Sequence, residues 1–149
     1  MRLPARYQTR WVYAAVAFLT ALAFCFVFFG LLSAGSEQTA VSDRLALAVG
    51  FAISAVPAAL IAWPGRTPRT KGQMVISGLL TVLMAFGFIG IFVAIAANFS
   101  PDTNSSIWEI LLGPLLAGPM FILFGSLFTA GIPHILGMVM SLLFREESG

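Results

Sequence analysis

Met74–Ala97 reads MVISGLLTVLMAFGFIGIFVAIAA, without one charged side chain from end to end. At about 1.5 Å of rise per residue, a helix of that length crosses a hydrocarbon layer of about 30 Å. In lipid the backbone must satisfy its own hydrogen bonds, and a lone segment can do that only as a helix.

Working outward, three more stretches have the same character: Trp11–Ser33, Leu45–Trp63 and Trp108–Phe144. The first two are free of charge, and the third carries only Glu109. Composition agrees, with 59% hydrophobic and 9% charged residues. A water-soluble domain has about 25% charged residues, so this chain has too few to cover a water-facing surface. Mean hydropathy is +0.96. The expected fold is all-α and polytopic, a single transmembrane domain over residues 1–149 with four transmembrane helices in a small bundle. The spans are expected near 11–33, 45–63, 74–97 and 119–144, with the fourth apolar segment broken by prolines.

Positive charge sorts between the loops. Arg2, Arg6 and Arg10 precede the first span, Arg66, Arg69 and Lys71 separate the second from the third, and Arg145 follows the last. Only Arg44 falls on the other side. The positive-inside rule then places both termini in the cytoplasm. The preference for Arg over Lys, with abundant Ala and Gly, points to a bacterial inner (cytoplasmic) membrane. The first apolar run exceeds the roughly 7–15 residues of a signal-peptide core and reads as a membrane helix. Its leader repeats Arg2, Arg6, Arg10 and Leu3, Tyr7, Trp11 at four-residue spacing. That describes either an interfacial amphipathic helix or, given Pro4, a frayed basic tail anchored by Trp11.

Two capping boxes mark helix starts, Thr70–Gln73 and Ser106–Glu109. In each, two side chains satisfy backbone donors that the first helical turn leaves unpaired, so Glu109 reads as a capping residue. The run from Ile107 to Phe144 would be about 57 Å long as one helix and must break. Gly113–Pro114, Gly118–Pro119 and Gly131–Ile132–Pro133 are the candidate breaks. Either Ile107–Ala130 spans and the rest lies on the cytoplasmic surface, or residues 107–118 form an outer interfacial or re-entrant segment and residues 119–144 span. The second reading is preferred, because Pro119 suits the first position of a helix. It would also align Ser126, Ala130, His134, Gly137 and Ser141 along one face.

In the second span Ala46, Gly50, Ser54, Ala58 and Ala62 recur every four residues. Small residues let membrane helices approach closely, so this ridge is a candidate packing interface, for the chain's own bundle or for another subunit. Gly90 and Ala94 in the third span, with Ser77, Thr81 and Ala85 nearer its start, offer a similar face. Pro57 frees the carbonyl of Ile53 and is expected to kink the second span beside Ser54. The phenylalanines of the first span read as lipid contact or packing.

No paired carboxylates, metal-ligand cluster or Ser–His–Asp set occurs within the spans. One histidine excludes a haem with two histidine ligands, and the single Cys25 excludes an internal disulfide. No cofactor or metal is expected, nor an enzyme. Without a basic patch, nucleic acid is not expected as a partner. The candidate polar intramembrane site is His134, with Thr129, Ser126 and Ser141 as neighbours. Pro133 would leave the Thr129 carbonyl free near the imidazole. His134 reads either as a neutral side chain bonded to a nearby carbonyl or hydroxyl, or as part of a proton pathway. The expected partners are membrane lipids and either other integral membrane subunits or further copies of the chain. The expected function is a non-catalytic accessory or structural subunit of a larger membrane complex; the alternative is a small oligomeric channel or transporter using the proline-broken segment and His134.

Overall fold

The computed structural model describes residues 9–32, 41–65, 69–98, 106–129 and 131–145. The leader with Arg2 and Arg6, the loop residue Arg66, and Ala130 of the expected stripe lie outside them. Among the described residues the fold is helical, without a strand. The helices are α1 (Arg10–Leu32), α2 (Val41–Ile53), α3 (Ala55–Ala62), α4 (Lys71–Asn98), α5 (Ile107–Phe128) and α6 (Ile132–Ser141); a single 3-10 turn, Leu142–Phe144, follows. Arg10–Leu31, Lys71–Asn98 and Ile107–Phe128 are long and apolar enough to cross a membrane. The chain is therefore an integral, multi-pass membrane protein.

Both capping boxes form. Thr70 N–H donates to Gln73 Oε1 at 3.1 Å, and Gln73 N–H returns to Thr70 Oγ1 at 3.3 Å. Ser106 N–H donates to Glu109 Oε2 at 2.6 Å, and Glu109 N–H to Ser106 Oγ at 3.3 Å.

The second apolar stretch is two helices stacked across Ser54. The Ser54 hydroxyl and backbone N–H both donate to the Phe51 carbonyl, at 2.6 and 3.3 Å. The helix restarts at Ala55, which puts Pro57 in the first turn of α3, where a missing N–H costs little.

The last stretch breaks at the third of the candidate points and not at Gly118–Pro119, where the preferred reading put it. No helix starts at Pro119, and residues 107–118 are not a separate segment. α5 runs through both Pro114 and Pro119. Each interior proline costs about 3 kcal/mol, whereas each backbone group left bare in lipid costs several. Packing on α4 favours the continuous helix: Gly90 meets Ala117, Gly118 meets Gly87 and Ile91, and Gly125 meets Phe86. The break falls at Thr129–Gly131 instead. Gly131 is left-handed (φ 72) and its N–H bonds back to the Ser126 carbonyl at 3.0 Å. Pro133 then sits in the first turn of α6. α6 continues along α4, with Gly137 on Gly78 and Val82. Together α5 and α6 accompany most of α4 in the opposite direction.

Candidate functional site

Three features could carry function: a polar knot at one end of the bundle, a cavity in its middle, and the surroundings of His134.

The knot forms around Tyr13, fully buried on α1. Its hydroxyl lies 3.0 Å from Thr81 Oγ1, and Ser77 Oγ lies 3.2 Å from it. Thr81 donates to the Ser77 carbonyl at 2.8 Å, and Ser77 to the Ala62 carbonyl at 2.7 Å. The Tyr13 ring packs against Trp63 at 5.1 Å and, edge to face, against Phe144 at 5.2 Å. The 3-10 turn after α6 delivers Phe144 there, and Met74 completes the cluster. Arg69 lies over Trp63 at 4.2 Å, a cation–π contact, and Arg10 Nε donates to the Leu60 carbonyl at 2.9 Å. Every hydroxyl of the knot is used in holding α1, α3 and α4 together. Sequence reading missed Tyr13; its signal was a lone phenol in α1 and the Ser77–Thr81 pair one turn apart in α4.

Beyond the knot lies a cavity of about 290 Å³ lined from α1, α2, α3, α4, α5 and α6. Seven phenylalanines face it: Phe24, Phe28, Phe29, Phe51, Phe86, Phe121 and Phe128. Both interruptions of the helices border it, through Ser54 on one wall and Thr129 on the other. In a membrane protein, irregular backbone is tolerated where it is buried in protein or lines a cavity. Phe28 and Phe128 meet edge to face at 5.7 Å, joining α1 to α5.

The four residues grouped around His134 in the sequence do not form one cluster. Ser126 Oγ lies 3.2 Å from His134 Nε2 and donates its proton to the Ile122 carbonyl. The other ring nitrogen, Nδ1, is buried on the side of the Gly131 backbone. The ring lies 6.0 Å from that of Phe86. Thr129 is turned away, donating to the Gly125 carbonyl at 2.7 Å, and its own carbonyl, expected beside the imidazole, accepts from Ile132 N–H at 3.1 Å. Ser141 donates to Met138 at 2.8 Å and packs near Gly78. Of the expected stripe, Ser126 and His134 meet across the turn at Gly131, while Gly137 and Ser141 pack on α4 at Gly78.

The expected ridge also divides. Ser54 and Ala58 are buried inside the bundle and Ala62 is half-buried, while Ala46 and Gly50 are exposed. Positions four apart advance about 40° around a helix, so Ala46 and Ala62 would differ by about 160° even without the break at Ser54. Among the described residues, no atom outside its own helix turn lies within 4 Å of a Cβ placed on Gly50.

Among the described residues, no three His, Cys, Asp or Glu side chains gather as metal ligands would. No family model, curated protein or solved structure matches the chain.

Proposed function

We propose that this chain is a non-catalytic subunit of a larger membrane assembly, and that the Ala46–Gly50 face of α2 receives its partner. The observation that carries this reading is the open Gly50. Glycine within a helix costs about 1 kcal/mol relative to alanine, and in membrane helices its usual return is a close approach by another backbone. The internal glycines of α4 and α6 have that approach within the chain; among the described residues Gly50 does not. Ala46 lies one turn away, and exposed Leu45 and Ile53 flank the notch.

The proposed topology has four crossings, made by α1, α2 with α3, α4, and α5 with α6, with both termini in the cytoplasm of a bacterium. It is supported by the contacts of Arg10 and Arg69 beside the knot that includes Trp63 and Phe144, with Lys71 opening α4 and Arg145 next along the chain after Phe144.

The test is co-purification from the native membrane with Ala46→Leu and Gly50→Leu combined. Ser54, buried against the chain's own helices, is left intact. The reading expects the partner to be lost while the monomer keeps its helical spectrum; a partner retained by the folded variant contradicts it.

One observation favours a second reading, a small transporter or channel: both helix breaks border one cavity, and His134 lies one turn beyond the second break. Broken helices line the substrate sites of many transporters. In liposomes this reading expects proton-linked flux that His134→Ala abolishes; flux unchanged by the substitution removes His134 from the pathway.

A further inference from the structure

The cavity wall carries four hydroxyl side chains, and each is committed to the protein itself. Thr20 donates to the Val16 carbonyl at 2.8 Å, and Ser54 to Phe51 at 2.6 Å. Thr81 donates to Ser77 at 2.8 Å, and Thr129 to Gly125 at 2.7 Å. What remains facing the interior is aromatic and aliphatic carbon together with the thiol of Cys25. An occupant with an acceptor group would find no free hydroxyl proton there and would have to leave that group unpaired in an apolar medium. The chemistry of the wall selects hydrocarbon.

Size narrows the choice further. At about 290 Å³ the cavity lies near the lower end of ligand-sized pockets. An apolar cavity of about 150 Å³ takes one benzene. A helix, with a diameter of about 10 Å, does not fit; a single flexible chain does. Access comes from the side. Phe128 and Leu136 both line the cavity yet are 68% and 37% exposed, so the cavity opens beside them onto the apolar flank of the bundle. The exposed neighbours on that flank include Phe124 and Leu127 on α5 and Ile135 on α6, a surface suited to lipid tails.

From these observations we infer that the cavity seats one acyl chain of a membrane phospholipid, admitted past Phe128 and Leu136. This goes beyond the subunit role and stands or falls separately from it, since the Ala46–Gly50 notch is on another face.

The experiment uses the full chain in phosphatidylcholine vesicles containing a small fraction of lipid with a photoactivatable diazirine in its acyl chain. After illumination, adducts are mapped by proteolysis and mass spectrometry. Labelling of cavity residues such as Phe24, Phe86 and Phe121 is expected to saturate at one lipid per chain as the diazirine fraction rises. Labelling of outward Leu19 and Leu123 is expected to keep rising in proportion. Filling the cavity with Ala21→Phe and Ala85→Phe is expected to abolish the saturable adducts and leave those on Leu19 and Leu123. If the filled variant does not fold, the saturation measured on the unaltered chain still decides. No cavity adducts, adducts that never saturate, or adducts that persist in the folded, filled variant would overturn the inference. Loss of partner binding in the Ala46/Gly50 variant with cavity labelling intact would show that the two proposals are independent.

Discussion

In α4 and α6, Gly78 faces Gly137 so closely that a methyl group on either would run into the other's backbone. A Cβ on Gly90 would sit 2.5 Å from the carbonyl oxygen of Ala117. In α2, by contrast, Gly50 has no described residue within 4 Å of that position. These glycines are all in apolar helices, and composition does not separate them. What separates them is the neighbour. Burial alone gives little reason for helices to associate in lipid, because lipid tails are as apolar as a side-chain core. Close backbone approach and hydrogen bonds must hold them instead. The α4–α5–α6 side supplies the approach through glycine, and the α1–α3–α4 end supplies hydrogen bonds through Tyr13, Ser77 and Thr81. Among the described residues the Ala46–Gly50 face has neither, which is why a partner is proposed there.

Substitutions sharpen this contrast. The largest effect is expected for Gly78→Leu, because the obstacle is the fixed backbone of Gly137 and not a side chain that can swing away. Overpacking of this kind costs about 3 kcal/mol, read as an early transition in thermal unfolding in mild detergent. Gly90→Ala comes next, at about 2 kcal/mol, since α5 can shift slightly on its single packed face. Tyr13→Phe keeps the ring contacts with Trp63 and Phe144 and removes the hydroxyl shared with Thr81 and Ser77; a loss of about 1 kcal/mol is expected. Gly50→Leu should change the stability of the isolated chain by about 0.5 kcal/mol or less, as for other surface positions, while abolishing co-purification of the partner. If Gly50→Leu and Gly78→Leu destabilise the chain equally, the contrast between the two sets of glycines fails.

Much of this fold could be read directly from residues. α1 and α4 are uninterrupted apolar runs, and both capping boxes depend on side chains three residues apart, so local chemistry decided them. The interruption near Pro57 was visible for the same reason, although the helix parts at Ser54 so that the proline falls within the next first turn. The last apolar run was misjudged because Gly118–Pro119 and Gly131–Ile132–Pro133 carry similar local signals. Their fates differ because Gly118 is pressed against α4, whereas Gly131 is free to adopt a left-handed turn. The knot joins Tyr13 to residues more than sixty positions away, and no local pattern announces such a pairing. The cavity is likewise a product of helix arrangement. Its phenylalanines were conspicuous in the sequence, but which of them converge was not.

The most direct test of the account is native mass spectrometry of the chain after mild-detergent extraction from the membrane of its own host. The account predicts that it emerges in a fixed ratio with other integral membrane proteins. Emergence alone, or only as copies of itself, would contradict the proposed role as a subunit.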